Sequence, residues 1–318
     1  YKTNATRQLL NLPLDPFAGY SSRKVNAGNI QNEGLEISLN GAIFQSPDVQ
    51  GFNWNATAQF SLNRNKIIDL YPGVTLYDIK TLDAIQIMAA QGSYYGDIYG
   101  QTFLRVTDKD SPHYGKVIVG DDGLPLISAE KSKVGNQSPD WMLGLTNSFS
   151  YKGFNLSFLV DFRIGDIYSA TASNLFVRGN AAGTVVNGER QDFVVPNTVV
   201  RKDGGYVENN VPVTHQNYWE RIGSTGNYGL PEVFTYDATN IRLRNITLGY
   251  TFNRAMLKKT PFQRLNLSAT CNNVWMIHYN LPGIDPESVS ATNTNATGFE
   301  NGAAPTSRSF TFNVTVGF

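Results

Sequence analysis

The chain has 318 residues with 26 acidic and 26 basic side chains, so no net field gathers nucleic acid or an anionic surface. Charged residues make up only 16%, against about 25% in ordinary globular domains, while aromatics reach 12%. A lone cysteine, Cys271, builds no disulfide framework or zinc site, and His113, His215 and His278 lack ligand spacing, so no metal or cofactor is expected.

The chain opens at Tyr1 without an initiator Met or a signal-peptide pattern and already reads as a strand, so an N-terminal part is expected to be missing. Strands are expected at about 1–11 and 30–45. In 52–63, Phe52, Trp54, Ala56, Ala58, Phe60 and Leu62 alternate with Asn53, Asn55, Thr57, Gln59, Ser61 and Asn63. This period of two is the signature of a strand with one apolar and one polar face. In 141–151 the apolar set is Trp141, Leu143, Leu145, Phe149 and Tyr151, with Asn147 as an exception. In 154–164, Phe154 to Ile164 at every second position share one face, with Asp161 and Arg163 on the other. The stretch 166–179 has the composition of a short helix. The strand over 236–253 changes phase between Leu243 and Ile246, which predicts a β-bulge near Arg244 and Asn245. A strand at 262–278 follows. Last comes the cleanest alternation, with Phe310, Phe312, Val314, Val316 and Phe318 on one face.

No run of 18 apolar residues exists, but a barrel strand crosses a membrane with about 9–11 alternating residues. Connection lengths decide between architectures. Short turns at 46–51, 151–153 and 254–261 alternate with long polar excursions at 67–140, 166–235 and 279–305. That asymmetry fits a membrane barrel with short periplasmic turns and long extracellular loops. Parity then requires 67–140 to hold zero or two wall strands, and it gathers Trp54, Tyr151, Phe154, Phe252 and Phe318 into one aromatic girdle. A soluble or surface β-sandwich that binds carbohydrate shares the alternation and is the alternative.

Several segments resemble the SusC/RagA-type TonB-dependent outer-membrane transporters of the Bacteroidetes. They are Val25 to Glu36 (VNAGNIQNEGLE), Asn63 to Ile67 (NRNKI), Gly135 to Trp141 (GNQSPDW), Tyr236 to Tyr250 (YDATNIRLRNITLGY), Asn272-Asn273 and Gly283 to Glu287 (GIDPE). The resemblance runs from about residue 25 to the end. It implies an all-β transmembrane antiparallel barrel of 22 strands, of which this chain supplies the C-terminal eight to ten. It also implies an N-terminal plug and first strands outside this sequence, which together with TonB and a SusD-like surface lipoprotein are the expected partners. Outer-membrane lipid and a glycan or peptide substrate complete the list. The implied location is the outer membrane, and the implied function is import of oligosaccharides or oligopeptides. Cys271-Asn272-Asn273-Val274 departs from the family's Gly-x-Asn-Leu, and the family's Asp-rich loop is represented only by Asp108, Asp110, Asp121 and Asp122.

No nucleophile elbow, zinc-protease motif or phosphate loop is present, so no enzyme is expected. Asp121-Asp122 and Asp285-Pro286-Glu287 read as turn residues. Candidate substrate-binding residues are the loop aromatics Tyr94, Tyr95, Tyr99, Tyr218 and Trp219, whose rings can stack on sugars or peptides. Their alternative role is packing the loops on one another or on a partner. The strand Phe310, Phe312, Val314, Val316 and Phe318 is expected to act as the assembly signal of the barrel.

Overall fold

The computed structural model describes residues 1–13, 17, 19–20, 22–48, 50–177, 191–223, 229–281, 283–290 and 296–318. Eight strands form one antiparallel sheet in chain order: β1 (Lys2–Pro13), β2 (Ser22–Gln45), β3 (Asn53–Asp69), β4 (Trp141–Tyr151), β5 (Phe154–Ile164), β6 (Asn240–Thr251), β7 (Arg264–Tyr279) and β8 (Ser309–Gly317). Each pairs with its sequence neighbour, β3 with β4 included. The excursion between β3 and β4 therefore adds no strand to this wall, which resolves the parity choice to zero. Strand β2 begins at Ser22, eight residues before the alternation becomes readable, because β1 pairs along that stretch from Ser22 to Glu33.

The turns follow from local chemistry. Lys152 and Gly153 both have positive φ, 48° and 88°, the geometry of a type I′ hairpin whose twist matches the flanking strands. A Cβ on Gly153 would lie 2.6 Å from the Thr251 carbonyl oxygen. Between β6 and β7, Asn253 caps the short helix Arg254–Leu257 by accepting from the Met256 N–H at 2.9 Å.

From Leu35 to Gly41 and across the strands beside it the sheet's apolar face is uncharged and uncovered, while nearer the long excursions Lys2, Glu33, Arg64 and Lys66 stand on the same face. Leu39 (64% exposed), Phe310, Phe312 (79%) and Val314 all point into open space. Its rings cluster at the end bearing the short turns: Trp54 on Phe149 (5.7 Å), Phe149 on Phe158 (6.1 Å), Phe154 on Tyr250 (4.7 Å) and Phe262 on Phe318 (5.5 Å). Asn147, the polar exception on this face, accepts from the Trp54 indole N–H at 3.0 Å. Each satisfies a group that would otherwise be stranded among apolar neighbours.

The core lies in the long excursions instead. Strands Leu76–Leu82, Ile85–Ala90, Asp97–Phe103 and Ile127–Asn136 form a separate four-stranded sheet. Asp166–Ser169 pairs with both Thr235–Asp237 and Phe299–Glu300, tying the excursion after β5 to the one after β7. Thr198–Lys202 pairs with Val117–Val119, tying in the excursion after β3. All three supply one apolar cluster that includes Ile85, Ile87 and Ile98, then Tyr168 and Phe234, then Ala296 and Phe299. Each large side chain buried there contributes roughly 1.5–3 kcal/mol.

The expected strand over 236–253 is divided. Thr235–Asp237 joins the loop sheet, an Asp237 Oδ1 to Thr239 N–H bond of 2.8 Å turns the chain, and β6 starts at Asn240. The expected helix within 166–179 is Ala170–Val177. Glu300 is buried at its start and accepts from Ser169 Oγ (2.6 Å) and Thr171 Oγ1 (2.8 Å), where the helix dipole favours a negative charge.

Candidate functional site

The polar face of the wall is the surface available for chemistry, and it divides along the strands. Toward the short turns it is a ladder of neutral amides and hydroxyls. Asn53 meets Ser150 at 3.3 Å, Thr57 meets Asn40 at 2.7 Å, Thr247 meets Thr270 at 2.9 Å and Asn266 meets Thr251 at 2.8 Å. Toward the long excursions it becomes charged.

The charged half is built around the bulge in β6. On the β5 side Val160 opposes Leu243 and Leu159 opposes Asn245; on the β7 side the register also jumps from Leu243 to Asn245. Arg244 is thus the extra residue against β5, as the phase change predicts, while against β7 it faces the unpaired Asn273 and Val274, and the irregularity aims it to the same side as Arg242. Its guanidinium bonds both Asp161 of β5 and Glu287 (2.6 and 2.9 Å). Arg242 is nearly fully buried and donates to Asp285 Oδ1 (2.7 Å) and Thr306 Oγ1 (2.5 Å). Asp285 also accepts from the Glu287 N–H (3.0 Å) and the Thr306 N–H (3.0 Å). The Asp285-Pro286-Glu287 turn is therefore a latch that fastens the excursion after β7 to the inner wall.

Electrostatics make the latch ionic. Burial works to raise the Asp285 carboxyl, but hydrogen bonds from Thr306, the backbone and Arg242 outweigh it and hold it below its ordinary value. Burial likewise opposes Glu287, and the bonds and charge of Arg244, with the charges of Arg242 and Arg163, hold it low. Asp166 moves the other way: burial raises it, and Asp237 and Asp140 add to the rise.

A cleft of about 570 Å³ opens on the charged half, lined by residues of β2 to β6, among them Glu36, Ser61, Met142, Arg163 and Arg244, together with Glu287. The sequence signals for this region were the bulge and the acidic turn, but nothing local linked them.

The aromatic candidates scatter. Tyr94 is exposed, with the Arg64 guanidinium 5.4 Å from its ring centre. Tyr95 lies beside it, packed against Ile67, Leu70 and Ala89. Tyr99 is half-buried in the four-stranded sheet, opposite Gln86 and Lys133. Tyr218 and Trp219 belong to the helix His215–Gly223 and meet edge-on at 5.3 Å. Tyr218 also meets Phe193 at 5.5 Å, Trp219 packs toward Phe234, and burial raises the Tyr218 hydroxyl above its ordinary value. Phe310, Phe312, Val314 and Val316 stand exposed on β8, and Phe318 is exposed just past its end. Asp108 and Asp122 act as turn acceptors, for the Asp110 N–H and the Leu124 N–H, both at 3.0 Å.

No family model matches the chain. Over its full length it is 26% identical to TonB-dependent receptor P3 of Formosa agariphila, covering 32% of that protein. It is 26% identical over 88% of its length to TonB-dependent receptor P39 of the same organism, and 24% identical over 85% to TonB-dependent receptor SusC of Bacteroides thetaiotaomicron, covering 29% and 25% of them. Among solved structures, the RagAB peptide importer in its 'closed-closed' state superposes with a TM-score of 0.66 at 18% identity, over 99% of this chain and 32% of that one. The RagAB peptide transporter superposes at 0.64. These relatives are receptors and transporters by name, not enzymes, and the chain spans between a quarter and a third of the length of the curated ones. Along its whole length the chain is thus similar to TonB-dependent receptors, SusC among them, and its wall of strands has the fold of an open arc of the RagAB barrel.

Proposed function

We propose that this chain forms part of the wall and the extracellular loops of an outer-membrane importer driven through TonB, which takes up oligosaccharides or oligopeptides together with a SusD-like surface lipoprotein. The observation that carries the reading is the two-faced wall. An uncovered apolar face free of charge from Leu35 to Gly41 and across its neighbours needs lipid, since a Lys or Arg at mid-bilayer there would cost about 2–4 kcal/mol, while the opposite face is mostly polar. A soluble sandwich would have to bury that apolar face against a second layer. Among the described residues the loop core lies elsewhere.

In this reading the short turns are periplasmic, and the stitched excursions form the outer mouth where the lipoprotein docks and Tyr94 meets substrate. The remaining strands and the plug pair with the arc, and the exposed apolar stripe from Phe310 to Phe318 is the strand recognised during barrel assembly. Fractionation of cells making the full-length protein tests this. Expected are recovery in outer membranes, extraction only by detergent, and uptake that stops when TonB is removed. A water-soluble protein, or uptake indifferent to TonB, would overturn it.

A further inference from the structure

The cleft on the inner wall holds two charges of opposite sign that the described residues leave uncommitted. Glu36 of β2 is exposed, and among the described residues it has no hydrogen-bond or ion-pair partner. Arg163 of β5 forms no ion pair among the described residues either. Its charge is felt by Glu287, but Glu287 is already bonded by Arg244. Every other charged side chain lining the cleft belongs to the Arg244 network with Asp161 and Glu287.

Glu36 and Arg163 lie on one lateral row. Glu36 pairs with Ser61, Ser61 with Met142, and Met142 with Arg163. Residues so paired face the same side of a sheet, and three inter-strand steps set them about 14 Å apart. The floor between them is neutral: Ser61, the exposed Met142, and on the adjoining row Ser38, Gln59 and Gly144. Gly144 presents no side chain into the space, and its built Cβ would meet only Leu159, at 3.6 Å.

We propose that this row is a binding site for a short peptide with free termini, its ammonium held by Glu36 and its carboxylate by Arg163. An extended peptide of about four residues spans about 13–14 Å, which matches the row. Guanidinium and carboxylate bind such ends with charge-assisted hydrogen bonds, and the hydroxyl and amide floor serves the peptide backbone between. A neutral sugar would leave both charges unpaired. The proposal rests on the importer reading and narrows its substrate class.

The test is titration calorimetry on the full-length protein in detergent with tetra-alanine, its N-acetylated and C-amidated forms, and a neutral tetrasaccharide. Blocking either end should weaken binding at least about tenfold, as should Glu36→Arg or Arg163→Glu alone. The double exchange should restore binding to within about threefold, because a zwitterion can turn round. Equal binding of free and blocked peptides, or a double exchange that stays weak, overturns the site. So do single exchanges that lower the melting temperature of the peptide-free protein without changing peptide affinity, since the two charges then dock another part of the barrel. TonB-dependent uptake of the tetrasaccharide without peptide binding would leave the importer reading standing and remove only this inference.

Discussion

Arg244 of β6 bridges two carboxylates from different parts of the chain: Asp161, across the sheet on β5, and Glu287, in the excursion after β7. Because it sits at a bulge, its side chain joins Arg242 on the inner face, and the pair fastens residues 285–287 and Thr306 to the wall.

Removing that bridge leaves the partly buried Asp161 without a counter-ion and Glu287 with only the more distant Arg242, at 3.8 Å. Breaking a buried pair costs about 3–5 kcal/mol, and the partial exposure here puts Arg244→Met near the lower end. The expected result is faster proteolysis within 280–308 of the detergent-solubilised full-length protein. Asp161→Asn with Glu287→Gln in the Arg244→Met background should recover much of the protection.

The latch also sets a pH dependence. Asp285 and Glu287 have folded values held below their ordinary ones, which are about 3.9 and 4.3 when unfolded. Their stabilisation is therefore complete above about pH 5 and is lost as pH falls through the depressed folded values. Trp275 and Asp285 both line a second cavity, of about 420 Å³, so the Trp275 fluorescence, taken as the difference between parent and Trp275→Phe, should hold steady down to about pH 4 and change below it. A change centred at neutral pH would contradict the assignment.

Trp54 and Asn147 satisfy each other on the apolar face. Hydrogen bonds in bilayers are worth about 0.6 kcal/mol on average and about 1.7 at most. A double-mutant cycle with Trp54→Phe and Asn147→Leu, read by denaturant unfolding in detergent, should give a coupling energy in that range. Additive effects would show that lipid solvates both groups equally well.

The Lys152-Gly153 turn tolerates little at its second position. Gly153→Ala combines positive φ with a 2.6 Å approach to Thr251 and should cost about 1–3 kcal/mol, seen as reduced folded barrel on semi-native electrophoresis. Lys152→Gly should be neutral or better, because glycine accepts that φ without strain.

The loop aromatics should separate by burial. Trp219→Ala should destabilise by about 3 kcal/mol as a core truncation, since Trp219 packs against the cluster that joins the excursions. Tyr94→Ala should leave the melting temperature unchanged and weaken substrate affinity instead. Thermal shift and binding measured on the same preparations distinguish the two.

Local alternation was enough to assign the faces of the wall strands, because side chains in a strand repeat every two residues whatever lies beside them. The phase slip at Leu243 to Ile246 was enough to locate the bulge. By itself, then, the sequence determined which residues take the apolar face of the wall, which take the polar face, and where one strand changes step. Only the tertiary structure decided that the excursion after β3 adds no wall strand, that the three long excursions share one core, and why Asn147 interrupts an apolar face. The same holds for the row from Glu36 to Arg163 and for the Arg244 bridges, whose partners lie 83 and 43 residues away. Such contacts depend on register across strands distant in sequence, and a local repeat carries no information about which distant strand will come alongside.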